Sequence, residues 1–248
     1  MAVCLIYGTD ATGKSSQLKA ICDAAEDPIL ISLELKNRRL YRLDHNGKMT
    51  DDTPFEVVEP LVLERPPSFA TVPVETFHSM GRTVERILNN QGADGKQRKY
   101  KTVVIDGISD FKRWAEHVVI AELRKKWPDT TAIGKENLAA WESRNRITAL
   151  PLERLSAWSE INGTNVFFST LMEPEYLNGN KSGYRIGVQD HIRDKVCDTR
   201  VGLFKDGRGF IARFEKIPPH VEWDHPLPYE MVVKRGMLGI EMMKMGLI

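Results

Sequence analysis

The sequence predicts an α/β fold in which a mostly parallel sheet carries helices on both faces. Four short apolar runs have the length and composition of buried strands: residues 2–7, 29–33, 102–105 and 165–170. The segments between them include stretches with the 3.6-residue periodicity of amphipathic helices. Strands that alternate with helices favour a parallel sheet, because each crossover returns the chain to the same edge.

The first elements follow closely on one another. Residues 2–7 form an apolar run that Gly8 ends, and residues 15–25 carry apolar side chains on one helical face. Residues 29–33 form a second buried run, which ends at Glu34. The chain is therefore predicted to start with a strand, a helix and a second strand.

Residues 36–72 differ from this pattern because they are polar and rich in proline. Asn46-Gly47 lies between short alternating segments, which is a hairpin signal. We interpret residues 36–72 as a small β-containing insertion, followed by an amphipathic helix over 75–89.

The second half of the sequence also alternates predicted strands with predicted helices. Residues 102–106 form the clearest strand, and helical stretches over 109–127 and 135–161 follow, the latter expected to break near Pro151. After the strand at 165–170, a polar, glycine-containing loop is predicted over residues 172–187. The predicted domain ends with strands over 199–204 and 209–214, and a tail over 218–248 follows it. We expect residues 1–217 to form one domain and the tail to be a candidate oligomerisation segment.

Composition excludes several classes of protein. The chain has 248 residues, of which 42% are hydrophobic and 28% charged, with a net charge of +1. A nearly neutral protein can bind nucleic acid only through a local basic patch. No apolar run has the roughly 20 residues that span a bilayer, and the three cysteines are sparse. We expect a cytoplasmic protein without a membrane partner, with Cys4 and Cys22 in the core.

The most specific motif is a phosphate-binding loop. Residues 8–15 read GTDATGKS and match the pattern G-x-x-x-x-G-K-[ST] in full. Glycines let successive backbone N–H groups face phosphate oxygens, and the following helix adds its positive end. We expect Lys14 to contact the β- and γ-phosphates of ATP and the Ser15 hydroxyl to bind Mg²⁺. The predicted nucleotide-binding residues are Gly8, Thr9, Asp10, Ala11, Thr12, Gly13, Lys14, Ser15 and Ser16.

Two carboxylates follow buried strands. Asp106 ends the run at 102–105 and is the candidate Mg²⁺ ligand, the alternative being a cap on the next helix. Gly107 follows it, so an adjacent catalytic glutamate is absent. Glu34 ends the second strand, where acids in α/β sheets face the ligand crevice, and is the candidate catalytic base. The alternative for Glu34 is a solvated carboxylate beside a basic segment.

Hydroxyl groups end the fourth predicted strand. Ser169 and Thr170 lie where a side chain could sense the γ-phosphate or orient the attacking water. The alternative is an ordinary turn at the end of a strand. We include both as candidate catalytic residues.

Together these segments resemble the RecA-like ATPase core. The resemblance rests on the loop at 8–15, TVVIDGISD at 102–110, Glu34 and NVFFST at 165–170. It is closest to the short, core-only members of phages, plasmids and archaea. It implies Mg²⁺-dependent ATP hydrolysis, a ring or filament of identical subunits, and recombination or annealing on single-stranded DNA.

The resemblance also implies two further groups of residues. Basic residues on a late strand reach the neighbouring subunit's ATP in this family, and Arg213 and Lys216 stand at a comparable place. The alternative for them is a solvated strand face. The loop at 172–187 is the candidate contact with single-stranded DNA, the alternative being a flexible surface loop. Its aromatic and basic side chains are Tyr176, Lys181, Tyr184 and Arg185.

Two rival interpretations remain open. GTDATGKSSQL at residues 8–18 also resembles the loop of thymidylate kinases, but no Asp-Arg pair followed by an aromatic residue is present. A KaiC-like switch or assembly factor with slow hydrolysis would share every motif above. Phosphate transfer to a nucleotide would favour the kinase, and stimulation by a protein partner without any DNA effect would favour the switch.

Overall fold

The fold is described from a computed structural model of the chain. The described residues are 2–34, 37–43, 48–50, 53, 55–59, 72–177, 180–234 and 236–247. The predicted Asn46-Gly47 turn lies outside them, although Leu43 and Met49 on either side form an antiparallel bridge. The side chains of Tyr176 and Lys181 also lie outside the described part.

Strands and helices alternate along the chain, as predicted. The strands are β1 Val3–Gly8, β2 Pro28–Ser32, β3 Glu56–Val58, β4 Thr102–Asp106, β5 Asn165–Leu177, β6 Asn180–Ile186, β7 Thr199–Asp206, β8 Gly209–Lys216 and β9 Tyr229–Val233. The helices are α1 Lys14–Ala24, α2 Arg38–Tyr41, α3 Val72–Leu88, α4 Ile108–Arg124, α5 Leu138–Asn162 and α6 Leu238–Lys244. A π-helical turn covers Ile192–Val196.

The sheet confirms the predicted fold class. Its strand order is β3-β2-β4-β5-β1-β7-β8-β9, with β6 paired to β5 outside this path. Every pairing from β3 to β7 in this order is parallel, and β8 and β9 add antiparallel strands. The carboxyl ends of β1, β2, β4 and β5 therefore meet at one edge, which is where ligands bind in α/β sheets.

Side chains alternate between two apolar cores, one on each face of the sheet. Val3 and Leu5 of β1 pack into the core beneath α3, α4 and α5, whereas Cys4 and Ile6 pack into the core with α1 and α6. Cys4 and Cys22 are buried there, as expected from their apolar neighbours. Burial raises the pKa of both thiols, so they are protonated core residues.

Helix α5 corrects one prediction. It runs without interruption from Leu138 to Asn162 although Pro151 lies inside it, so the predicted break is wrong. Proline removes one backbone hydrogen bond. Ala149, Leu152 and Leu155 on either side are buried in the core, and this packing holds the helix together.

The segment at 172–187 corrects another prediction. It is an antiparallel hairpin instead of a loop, because β5 continues to Leu177 and pairs with β6. Met172 pairs with Ile186 at the base, and a bulge interrupts the register between Glu175 and Tyr176. Main-chain pairing therefore orders a polar segment that has little apolar surface to bury.

Residues beyond 217 join the same structure. Strand β9 pairs with β8, and α6 packs against α1. The 36–72 segment likewise contributes β3, which pairs with β2. In the described part of the chain, no helix is long and apolar enough to cross a bilayer.

Candidate nucleotide-binding site

The loop between β1 and α1 has the backbone geometry that its glycines predict. Gly13 has φ +82°, and Ala11 also adopts the left-handed region with φ +60°. A Cβ on Gly8 would lie 2.4 Å from the Leu203 carbonyl oxygen and 2.6 Å from the Thr12 hydroxyl oxygen. Any side chain at Gly8 would therefore force the loop away from β7.

Lys14 lies in the first turn of α1 and is 7% exposed. Its ammonium group donates to the carbonyl oxygens of Gly8 at 3.1 Å and Thr9 at 2.8 Å. The charge is thus held at the loop, beside the positive end of α1. This arrangement suits an anionic ligand such as a phosphate group.

Asp106 is fully buried at the end of β4. One carboxylate oxygen accepts a hydrogen bond from the Ser169 hydroxyl, and the other accepts from the Tyr41 hydroxyl and, at 2.9 Å, from the Asn37 amide. Burial, with Asp106 as the next cause, raises the pKa of Tyr41, so this hydroxyl stays protonated and donates. These donors compensate the burial of a charged group.

Glu34 lies two residues after β2 and is 7% exposed. Its side chain packs against Gly107, which has φ +101°. A Cβ on Gly107 would lie 2.8 Å from Glu34 Cγ, so glycine is needed both for the backbone conformation and for this contact. Gly107 thereby lets Glu34 and Asp106 share one site.

Asn37 joins these groups. Its amide nitrogen lies 2.6 Å from Ser15 Oγ, 2.8 Å from Glu34 Oε2 and 2.9 Å from Asp106 Oδ2. Oxygens from the phosphate loop, the end of β2 and the end of β4 therefore surround one point. Sequence analysis placed Ser15, Asp106 and Glu34 in one site, and the structure brings all three together.

The two hydroxyls that end the fourth predicted strand have different surroundings. Ser169 bonds to Asp106 and accepts from the Gly107 backbone N–H at 2.9 Å. Thr170 instead forms a 2.9 Å hydrogen bond with the Ser109 hydroxyl and is 1% exposed. Ser169 is therefore part of the carboxylate cluster, whereas Thr170 packs between β5 and α4.

A cavity of about 560 Å³ lies over the phosphate loop. This volume lies within the usual range for small-molecule sites. Glu34 and Asn37 line it beside the loop, and Leu40, Leu171 and Phe210 supply apolar walls. The predicted loop residues that line it are Asp10, Ala11, Gly13, Lys14, Ser15 and Ser16.

The residues present fit Mg²⁺ and a nucleoside triphosphate. Hydroxyl and carboxylate oxygens are the ligands that Mg²⁺ prefers, and Ser15 and Asp106 supply one of each. The buried ammonium of Lys14 and the left-handed loop provide a phosphate cradle. The apolar walls can pack against a base or ribose.

Arg213 and Lys216 lie elsewhere in the sheet. Arg213 is on β8, and its Nε lies 4.0 Å from Glu215 and 3.9 Å from Glu230. Lys216 pairs with Arg200 at the start of β7, and its ammonium donates to the carbonyl oxygens of Asp194 and Cys197. Neither residue lines the phosphate cavity of its own chain.

The hairpin at 172–187 borders a second cavity of about 580 Å³. It shares Asp10 and Leu171 with the phosphate cavity, so the two cavities are neighbours. Its basic lining comes from α4, α5 and β6: Lys112, Arg113, Arg144 and Arg185. Tyr184, on the same hairpin, is 47% exposed.

Sequence analysis missed several residues of the site. Asn37 and Tyr41 lie in the segment interpreted as an insertion, and Phe210 was assigned to an ordinary strand. The position of Asn37 three residues after Glu34 was the available signal, since such spacing folds back in one helical turn. Nothing in the sequence pointed to Tyr41 or Phe210.

Comparison with known proteins agrees with this geometry. A family model described as an AAA domain matches residues 1–198. No curated protein matches the chain significantly. The matched range contains the phosphate loop, Glu34, Asp106 and Ser169, and it covers most of the chain. The chain therefore belongs to the AAA domain family of P-loop nucleotide-binding ATPases.

Proposed function

We propose that this AAA-type protein is a Mg²⁺-dependent ATPase with a RecA-like core. One observation carries the proposal: Ser15, Glu34 and Asp106 converge within 2.9 Å of a single point beside the phosphate loop. An oxygen ring of this kind next to a buried lysine is the arrangement that phosphoryl transfer requires. Two of these groups, Glu34 and Asp106, are buried carboxylates from separate strand ends, and buried carboxylates in a cleft are typical of functional sites.

Each residue has a defined role in this proposal. The loop amides and Lys14 bind the phosphates, and Ser15 and Asp106 hold Mg²⁺. Held there, Mg²⁺ would neutralise charge that develops on the phosphate oxygens. Glu34 accepts a proton from the water that attacks the γ-phosphorus, while the bond from that phosphorus to the β–γ bridging oxygen breaks and ADP leaves. Ser169 fixes the carboxylate of Asp106 by its hydrogen bond.

The test is phosphate release from ATP by the purified chain. We expect turnover with Mg²⁺, none with EDTA, and phosphate in water instead of on an added nucleoside or nucleotide. Phosphate transferred to a nucleotide acceptor would establish the kinase alternative. Failure to bind or hydrolyse ATP with Mg²⁺ would refute the proposal.

We further propose that ATP turnover serves a transaction on single-stranded DNA. The support is the second cavity, where Lys112 and Arg185 flank one carboxylate, Glu173, at 3.2 and 3.5 Å. The cavity is lined by four cations and by three carboxylates, those of Asp10, Glu116 and Glu173, which leaves a small positive excess for a phosphate backbone. Tyr184 offers an exposed ring on which a base can stack.

Fluorescence anisotropy with a labelled oligonucleotide tests the DNA proposal. We expect affinity for single strands that falls as salt rises, and faster ATP turnover when the strand is present. Salt-insensitive binding, or turnover that DNA leaves unchanged while a protein extract raises it, would favour the switch or assembly factor.

We also propose a homo-oligomeric ring or filament in which Arg213 contacts the neighbour's nucleotide. Arg213 is 40% exposed on β8, away from its own phosphate cavity, and its two carboxylate contacts lie near the outer limit for an ion pair. Light scattering with and without ATP tests this. A monomer under all conditions would refute it.

A further inference from the structure

The amide nitrogen of Asn37 lies among three side-chain oxygens that we call the oxygen ring: Ser15 Oγ, Glu34 Oε2 and Asp106 Oδ2. The nitrogen is closest to Ser15 Oγ at 2.6 Å, then Glu34 Oε2 at 2.8 Å and Asp106 Oδ2 at 2.9 Å. The two carboxylate oxygens are acceptors, so the amide presents its amino side to them. The Asn37 amino group thus lies within hydrogen-bond distance of every oxygen of the ring.

An amino group satisfies this ring incompletely. It has two hydrogen atoms, whereas three oxygens lie within hydrogen-bond distance of it. A Mg²⁺ ion binds six oxygens, so an ion held by Ser15 and Asp106 can fill its other positions with water and phosphate oxygens, and one of its waters can donate to Glu34. The ring therefore suits a metal ion better than it suits the amide.

The surroundings of Asn37 keep its side chain at this point. Its backbone N–H donates to the Glu34 carbonyl oxygen at 3.1 Å, which holds the backbone of Asn37 close to that of Glu34. Four residues later Tyr41 is 1% exposed and packs in the core beside α1, which anchors the short helix α2. Asn37 itself lines the cavity over the phosphate loop, so its side chain has open space into which it can rotate while α2 stays in place.

We propose that Asn37 is a positioning residue that competes with Mg²⁺ for the metal site of this ATPase. Its amide holds the Ser15, Glu34 and Asp106 oxygens close together while no cation binds them, and it must rotate away when Mg²⁺ arrives with the nucleotide. The inference rests on the proposed Mg²⁺-ATP site. It adds a residue that sets how strongly nucleotide binding depends on Mg²⁺.

The competition has a quantitative consequence. When a binding-competent arrangement is a fraction of the population, the apparent dissociation constant rises by the inverse of that fraction. Asn37→Ala removes the competitor and leaves the phosphate loop intact. We expect roughly tenfold tighter binding of Mg²⁺-ADP, the value for an Asn37-bound arrangement in about nine tenths of molecules. Binding of ADP in EDTA should stay the same.

The experiment compares three variants with the full-length chain, using a fluorescent ADP analogue with Mg²⁺ or with EDTA. Asn37→Ala tests the effect of removing the amide from the oxygen ring. Asn37→Asp replaces the competitor by a carboxylate ligand, so Mn²⁺ binding without nucleotide, measured by electron paramagnetic resonance, should tighten beyond that of Asn37→Ala. Asn89→Ala is the control, because that exposed amide lies just after α3 and donates to the Glu85 backbone carbonyl instead of to the oxygens of the ring.

The outcomes separate this inference from the proposed function. If the unaltered protein fails to bind the analogue with Mg²⁺, the ATPase proposal itself fails. If it binds, and Asn37→Ala leaves the Mg²⁺-dependent affinity unchanged or weaker, Asn37 supports the ring without competing and the inference is overturned. Tighter Mg²⁺-dependent binding together with tighter Mn²⁺ binding by Asn37→Asp would establish it.

Discussion

Two neighbouring cavities share Asp10 and Leu171 but are built differently. One is the phosphate cavity, which lies over the phosphate loop, and the other is the second cavity, beside the hairpin at 172–187, which we call the basic cavity. In the phosphate cavity, Lys14 and Glu34 are each 7% exposed and Asp106 beneath them is fully buried. In the basic cavity, the side chains of Arg113 and Arg185 are 66% and 64% exposed, whereas those of Lys112 and Arg144 are 18% and 13% exposed. The charged groups of the phosphate cavity are therefore buried, whereas two of the four cations of the basic cavity remain exposed to water.

This difference decides how much each cavity says about function. Burying a charge costs several kcal/mol unless partners compensate, so a buried cluster of charges indicates chemistry. Exposed ion pairs contribute about 0–1 kcal/mol and occur on most protein surfaces. The phosphate cavity therefore supports the proposed ATP hydrolysis more strongly than the basic cavity supports the proposed binding of DNA.

Removing the buried ammonium should have the largest effect. Lys14→Ala deletes the group that contacts the phosphates, so we expect kcat/KM for ATP to fall about 1000-fold, with nucleotide binding weakened as well. Lys19→Ala is the matched control, because Lys19 lies on the same helix in an exposed pair with Asp23 at 2.7 Å. Normal kinetics in Lys14→Ala would remove the loop from the mechanism.

Changing the candidate base should separate binding from chemistry. Glu34→Gln keeps the size of the side chain but cannot accept the proton of water, so turnover should fall about 100-fold or more. Affinity for Mg²⁺-ATP should be kept, as measured by calorimetry. Glu26→Gln, an exposed carboxylate after α1, should behave like the parent protein. Unchanged turnover in Glu34→Gln would assign the base elsewhere.

Adding a side chain at Gly107, between Glu34 and Asp106, should lower the free energy of unfolding. Gly107→Ala forces a left-handed conformation on a residue with a Cβ and places that Cβ against Glu34, so unfolding free energy should drop by about 2 kcal/mol. Urea unfolding measures it. Gly81→Ala on α3, where a Cβ meets nothing within 4 Å, should stabilise the protein slightly. Equal effects would contradict the packing described here.

The basic cavity should respond more weakly. Replacing Arg113 and Arg185 together by alanine should reduce affinity for single-stranded DNA several-fold, and the slope of log K against log salt should decrease by about 0.7 per lost phosphate contact. Arg154→Ala is the control, since Arg154 is another exposed arginine, paired with Glu85 on α3. An unaltered affinity in the double variant would move the DNA site away from this cavity.

The smallest effect concerns the loop backbone. Ala11 has φ +60°, a conformation that costs a residue with a Cβ about 1 kcal/mol relative to glycine. Glycine also has greater freedom in the unfolded chain, which offsets part of this gain. We expect Ala11→Gly to change the melting temperature by no more than a few degrees, with ATP affinity retained. A large loss of affinity would mean that Ala11 contributes its methyl group to the nucleotide.

Local patterns determined the elements that carry the site. Short apolar runs located β1, β2 and β4, because a buried parallel strand must be apolar on both faces. The motif at residues 8–15 fixed the phosphate loop, since its backbone conformation depends on glycines at set positions. Pro151 and the hairpin at 172–187 were predicted wrongly, because core packing and strand pairing outweighed local propensity there.

The sequence by itself determined the fold class, the phosphate loop and the two carboxylates, because each depends on neighbours in the chain. Tertiary structure alone decided which groups share one point. The strand order places the carboxyl ends of β2, β4 and β1 at a common edge, which brings Glu34 and Asp106 close to Ser15. Asn37, whose backbone is hydrogen-bonded to Glu34, lies among these three residues. Contacts between residues so distant in sequence arise from the packing of whole elements, which no local pattern encodes.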